Sequence, residues 1–500
     1  MHHKNIKKII RDELKKYYPK WNKLKYKEKK KVVQKVLDEV ISDYDFKSNI
    51  DFEKNELLGV GDQLYDNNII KLDEMKSFID KNKSNSLLKL TDYKHIKPNM
   101  NCPELSFIDK MLDNQVIDSI LAYKGYSPQM RNIFPHQLLR AELLKTLKYP
   151  EISYRKYCTT EYLGMHQKEN KSFIGLQLHK NTSIDHTVLS KFRNSLCFYQ
   201  LVNLVVYVLY QFKLSGFITD GILHGIDSTE LASSNQRLLA SFKIKGKRIR
   251  IYNDLDCDCG KRRNKRDKST YVIGYRMHTL TAIHPDTGHS YPLISLLAPA
   301  NHHDSYFAHP LISLAQAIGL NVRLVTADEA YHDKDNDIYD DLGATIITPP
   351  DKKTLLPDFV DVERKHVFCH GHCSVPMQYL GVFEHEHEFK CTANWGECPF
   401  SQSCPQTRSI PLDAGYFQRI NFFIDQAQQP IDIRKNSERP YNLMKNREGL
   451  ETPRPRSKHG ILVQCTFAQM VTLLLEMAGT RRKHKPEPQK EYQVPLPFAA

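Results

Sequence analysis

No stretch of this chain reaches the roughly eighteen consecutive apolar residues that a membrane-spanning helix needs. The best run, Leu201 to Tyr210, is ten residues long and interrupted by Asn203, so it reads as a buried element. A signal-peptide apolar region is also missing, because the chain is charged from Lys4 onward. There is no internal repeat. The eleven cysteines are an odd number without a secretory signal, which argues against a disulfide framework. These absences point to a cytoplasmic protein with no membrane partner. With 40% apolar and 26% charged residues the composition excludes wholesale disorder. A chain of 500 residues exceeds one ordinary core, so two or three domains are expected.

What is abundant is positive charge. Seventy-two Lys and Arg stand against fifty-eight Asp and Glu, a formal charge of +14. Residues 1–50 hold fifteen basic and seven acidic residues. Two further clusters are Lys243–Lys245–Lys247–Arg248–Arg250 and Lys261–Arg262–Arg263–Lys265–Arg266. Such a field attracts polyanions, of which nucleic acid is the commonest in a cytoplasm, although many basic proteins bind none.

Residues 1–100 read as basic and helical, with Ile6, Ile9, Ile10, Leu14 and Tyr17 at helical spacing and a polar loop near Lys81–Ser86. Residues 101–215 are also helical. Ser183 suits a helix N-cap, and Ile184, Val188, Leu189, Phe192 and Leu196 form an apolar stripe after it. With a short helix over Ser153–Glu161 this makes a helix-turn-helix-like unit in which Lys191 and Arg193 are DNA-binding candidates. A plain helical bundle fits the same pattern.

From Gly216 strands alternate with helices. Ile222–Ile226 runs into Asp227; Tyr271–Ile283, Tyr291–Leu297, Val322–Ala327 and Ala344–Thr348 are further strands. Helices are expected over Pro310–Ile318 and Asp335–Leu342. Hairpin-like strands followed by helix-separated strands predict a mixed α/β sheet with flanking helices, a ribonuclease-H-like arrangement. Residues 351–435 interrupt it, 436–480 return to a helical signal, and 481–500 read as a disordered tail.

Asp227 and Asp328 each follow an apolar strand, where ligands bind in open sheets. Carboxylates there suit a hard divalent ion, and a pair of ions about 3.5–4 Å apart can stabilise both oxygens of a phosphoryl displacement. Either Asp alone also fits a turn or helix cap. Arg447 and Glu451 would be i,i+4 neighbours on a helix, a pair that by itself reads as a surface salt bridge. Cys369, Cys391, Cys398 and Cys404 are the first choice for tetrahedral zinc, with Cys373 or His372 as substitutes and unliganded thiols as the alternative. Cys257 and Cys259 suit a tight loop.

Together these pieces resemble the DDE transposases of bacterial insertion sequences. The resemblance rests on Ile226-Asp227-Ser228-Thr229, Gly274-Tyr275-Arg276-Met277-His278, Ala298-Pro299-Ala300-Asn301-His302-His303-Asp304-Ser305 and Ala327-Asp328-Glu329-Ala330-Tyr331. The family's third-acid signature is a Tyr, two residues, an Arg, three residues, a Glu, six residues and a Lys. Arg447, Glu451 and Lys458 satisfy its last three positions, while Met444 stands at the Tyr. The resemblance spans about residues 100 to 480.

It implies a catalytic domain at 216–350 and 436–480, a helical DNA-binding domain at 101–215 and a Cys/His-rich insertion at 351–435. Asp227, Asp328 and Glu451 would hold Mg²⁺ or Mn²⁺, with Glu448 the runner-up third acid and Arg447 and Lys458 near the DNA backbone. The activity implied is DNA strand cleavage and transfer at the ends of a mobile element. The partners would be double-stranded DNA (terminal inverted repeats and target) and further copies of the chain, as a homodimer or larger assembly. A catalytically inactive DNA-binding derivative, or a nuclease that cleaves without joining, has the same fold. Pro453 and Pro455 should end or kink the helix just after Glu451.

Overall fold

The computed structural model describes residues 10–43, 68–84, 100–122, 133–178, 184–218, 223–244, 247–263, 269–284, 287–333, 336–369, 375–393 and 402–479, except positions 17, 19, 20, 403, 405 and 452. β1 (Leu223–Ala232) leads into a hairpin of β2 (Leu238–Ile244) and β3 (Lys247–Tyr252). β4 (Asp258–Arg263), the long β5 (Ser269–Ile283), β6 (Ser290–Pro299), β7 (Leu324–Ala327) and β8 (Thr345–Ile347) follow. One mixed sheet runs β4–β5–β1–β7–β8, with β6 also paired to β5. β1 is antiparallel to β5 and parallel to β7, and β7 is parallel to β8. β7 and β8 are short, apolar and wholly buried, as parallel strands covered on both faces should be. The helix between β6 and β7, Ala308–Ala317, begins two residues before the expected Pro310, and Gly319 beyond it has φ 88°.

Helices flank this sheet and share its core. Phe198–Leu214 is apolar almost all round, the pattern of a helix buried in a large core. Its Phe212 ring meets Tyr291 of β6 edge-on at 4.8 Å. The C-terminal helix, Lys458–Met477, is long and apolar enough to cross a membrane, yet 89% of its most apolar window is buried inside the protein. One continuous cluster joins Leu105, Leu139, Leu204 and Val463 to Ile226, Leu280 and Val325 of the sheet. Residues 101–215 are therefore not a separate domain with its own core, as the sequence suggested. The expected Ser153–Glu161 helix is two single turns, Tyr154–Tyr157 and Thr160–Leu163. Ser183 lies outside the described residues; the cap of His186–Ser195 is Asp185, whose carboxylate accepts from the Thr187 N–H at 2.7 Å.

The N-terminal residues do not stand alone either. Ile10, Leu14, Trp21, Val33, Val36 and Leu37 pack onto Leu239, Ile249 and Ile251 of the β2–β3 hairpin and onto Leu255 just beyond it. Trp21 Nε1 donates to the Asn253 carbonyl at 3.3 Å and Lys29 Nζ to Asn253 Oδ1 at 2.7 Å. Lys81 belongs to the helix Met75–Ser84, not to a polar loop.

The Cys-rich segment has its own small core. β9 (Val360–Asp361) pairs with β10 (His366–Val367), and β11 (Gln378–Phe383), β12 (Glu386–Lys390) and β13 (Thr407–Pro411) form a three-stranded sheet. Val367, Phe389, Ile410 and Phe417 pack there with Cys369. By Ile420 and Phe422 the chain already packs against Leu223, Leu324 and Ile347 of the main sheet. The insertion thus ends before 420 rather than at 435, and the helix Gln428–Arg434 follows it. The expected tail, 481–500, lies outside the described residues.

Candidate active site

β1 was expected to end at Asp227, but it continues to Ala232 because β5 keeps pairing with it, Asp227 facing Thr279 and Ala232 facing Gly274. On its other edge the parallel partner stops: Ile226 is opposite Ala327, the last residue of β7. Asp227 and Asp328 are the next residues on two adjacent parallel strands. They line one open cleft of about 520 Å³ together with Glu230, Lys261, Arg276, Asp304, Glu438 and Lys445. The Asp227 carboxylate accepts from the Ser228 N–H at 2.7 Å and that of Asp328 from the Glu329 N–H at 3.0 Å.

Glu438 brings a further carboxylate to the cleft. It ends the single turn Lys435–Glu438 and precedes the helix Arg439–Asn446. Two glycines let this turn lie close to the sheet. A Cβ on Gly225 of β1 would come within 2.7 Å of Ile283 and 3.0 Å of Ser437. Gly288, at φ 62°, meets Asn436, and its carbonyl accepts from Arg439 Nη1 at 2.8 Å. From the following helix the Tyr441 hydroxyl donates to the Asp227 backbone carbonyl. Burial pushes the Asp227 carboxyl up to about 7; the Ser228 N–H pulls it down, and the negative charges of Glu438 and Asp328 push it further up. That mutual repulsion is an electrostatic preference for a cation among the three acids.

Glu451, the acid chosen from the sequence, lies elsewhere. Its side chain is 65% exposed and sits 3.7 Å from Lys445 Nζ, outside the cleft lining. The helix stops at Asn446, earlier than the prolines required, and the chain turns through Gly449 at φ 76°. Arg447 and Glu451 are therefore not helical neighbours. Glu448 is buried and lines a different cavity with exposed Arg447, Leu147 and Lys148. Lys458 opens the C-terminal helix, where burial holds its amine below the ordinary lysine value and Asp256 pulls it back up. The spacing of Arg, three residues, Glu, six residues and Lys occurs twice in this chain. Arg434, Glu438 and Lys445 satisfy it as well as Arg447, Glu451 and Lys458, with Ile431 at the Tyr position. Sequence reasoning missed the first of these.

Three of the other charges of the cleft pair with one another. Arg276 holds Asp304 at 2.6 Å and Glu230 at 3.4 Å. His278, fully buried two residues along β5, stacks on Phe307 and shares a 2.8 Å hydrogen bond between Nδ1 and the Tyr331 hydroxyl. Burial holds its imidazole well below the ordinary value, so it is a neutral spacer. Arg276, His278 and Asp304 thus fix the wall opposite Asp328. Among the described residues, Asp227, Asp328 and Glu438 form no ion pair, which leaves their oxygens to the cleft.

Of the two residues proposed to read DNA, Lys191 is exposed. Arg193 is not available: its guanidinium lies 3.7 Å above the Tyr154 ring and 3.5 Å from Glu142, which is fully buried. Tyr154 donates to the same carboxylate at 2.7 Å. Burial pushes the Glu142 carboxyl up, and Arg193 pulls it down. Arg193→Ala removes one partner of a buried pair and is expected to cost about 3–5 kcal/mol. Urea unfolding measures it; a loss below about 1 kcal/mol would make the pair a surface-like contact.

In the insertion, Cys369, Cys391 and Cys404 bring their sulfurs within 4.8 Å of one another. This group could hold a metal ion such as zinc. Cys398, the expected fourth ligand, and its substitutes Cys373 and His372 lie outside the described residues. Cys257 is buried beside Tyr275 and Met277, and Cys259 belongs to β4 rather than to a tight loop. No protein-family model matches this sequence, and neither does any curated protein.

Proposed function

We propose that this chain is a DDE-type DNA transposase with its acids at Asp227, Asp328 and Glu438, cutting and joining DNA at the ends of a mobile element. The observation that carries the reading is the shared cleft: two aspartates past the paired ends of adjacent parallel strands, with a glutamate brought beside them. The strand order β6–β5–β1–β7–β8, three antiparallel strands and then two parallel to the first, supports a ribonuclease-H-like fold. The basic character of the chain supports a polyanionic substrate.

The donor set is all oxygen and anionic, which fits Mg²⁺ or Mn²⁺ and not a soft metal. When bound, a pair of such ions supplies charge neutralisation and an activated water. The chain's own residues do the rest. Asp227 and Asp328 are aligned by two strands that cannot shift independently, so their spacing is set before substrate arrives. Lys261 and Lys445 on the cleft walls attract the phosphodiester. Arg276, neutralised by Asp304 and Glu230, keeps those two acids from competing for the cation. The protein needs no nucleophile of its own; its contribution is position and charge.

Asp227→Asn and Asp328→Asn are each expected to lower Mg²⁺- or Mn²⁺-dependent nicking and joining of DNA by about a thousand-fold or more, the rate equivalent of several kcal/mol. DNA binding should remain. Binding without any metal-dependent nicking by the unaltered protein would leave only the inactive DNA-binding derivative.

A further inference from the structure

The β2–β3 hairpin forms a two-stranded sheet apart from the main one. From Asn235 to Asn253 the sequence holds six basic residues and no acidic one. The register places Lys243 directly opposite Arg248, and Ser241 opposite Arg250. Strand alternation puts these four on one face. The other face, with Phe242, Ile249 and Ile251, is covered by Ile10, Leu14, Trp21 and Val33. Lys243 and Arg248 are exposed and Arg250 half-buried, and none of the three is ion-paired among the described residues.

Like charges directly opposite one another weaken a strand pair. The hairpin tolerates this because its apolar face is anchored on the N-terminal helices. A face that is destabilising in the free protein and carries cations at strand spacing is relieved by a polyanion. A two-stranded ribbon also has the width of the DNA major groove. The chain leaving β3 enters β4, where Lys261 lines the acidic cleft. Lys261 stands nine residues past the end of β3, a tether that keeps the hairpin within about 30 Å of the cleft.

We propose that the Lys243–Arg248–Arg250 face of the hairpin is a binding surface for the phosphate backbone of duplex DNA, holding the duplex beside the Lys261 wall of the cleft. This rests on duplex DNA being the substrate. Its contacts are to phosphate and carry no sequence information. The N-terminal helices are then its support, not a second DNA-reading domain.

The test is the triple variant Lys243→Ala, Arg248→Ala, Arg250→Ala, titrated by fluorescence anisotropy onto a random-sequence duplex over a range of salt concentrations. Losing three phosphate contacts should make the slope of log affinity against log salt shallower by about 2–3. A duplex from the element's end should lose affinity by the same factor. The triple variant should melt no lower than the unaltered protein, since Lys243 no longer faces Arg248 across the strands, and Arg248→Lys should keep the slope. An unchanged slope overturns the proposal, as does a loss confined to phosphatidylserine vesicles. The two readings also separate. Nicking with an unchanged slope defeats the hairpin alone; a shallower slope in a protein that never nicks defeats the enzymatic reading and leaves the hairpin standing.

Discussion

Glu438→Gln should reduce metal-dependent DNA cleavage by about a thousand-fold or more, while Glu451→Gln should leave it within a few-fold. The amide keeps the size of the side chain and removes one negative charge, so the loss reads charge at the cleft and not packing. Glu438 is exposed and ends a turn, so its replacement leaves the apolar core untouched. Among the described residues the one ion pair of Glu451 is with Lys445, at 3.7 Å, and with the Glu451 side chain 65% exposed such a pair contributes little. Kinetics on a single DNA substrate compare both variants. Full activity of Glu438→Gln with loss in Glu451→Gln would move the third acid back to the second Arg–Glu–Lys set.

The second large effect concerns the insertion. The purified protein should contain about one zinc ion per chain, and Cys404→Ser should lose most of it. A structural zinc contributes roughly 10–16 kcal/mol in small peptides. The share here is smaller, because Val367, Phe389, Ile410 and Phe417 already form a core. It still bears on the stability of a segment whose described strands are short. Chelation or Cys404→Ser should therefore open residues 351–419 to limited proteolysis while Leu223–Ile347 stays protected. Metal analysis and peptide mapping decide it: intact resistance in zinc-free protein would assign the cysteines to ordinary packing.

Local pattern made much of this molecule legible. The apolar segments at β5, β6, β7 and β8 and the glycines that close the intervening helices mark strands and helix ends, because burial and backbone strain act within a few residues. Asp227 and Asp328 stand out for the same reason, each following an apolar run. Three of the four favoured cysteines meet in space. The β2–β3 hairpin was hidden: its strands carry lysine and arginine on one face, so the basic cluster masked the alternation beneath it.

The sequence by itself determined the alternating elements and the two aspartates beside strand ends, which depend on neighbours along the chain. Of two sets of identical spacing, Arg434–Glu438–Lys445 and Arg447–Glu451–Lys458, the tertiary structure alone brings the glutamate of the first to the cleft and not that of the second. It did so because Gly225 and Gly288 admit one turn against the sheet, while Gly449 turns the other away. It also turned Arg193 inward onto Glu142 and merged the helices of 101–215 with the sheet. Spacing is a property of one segment; convergence is set by packing between segments far apart in the chain, and no periodicity records it.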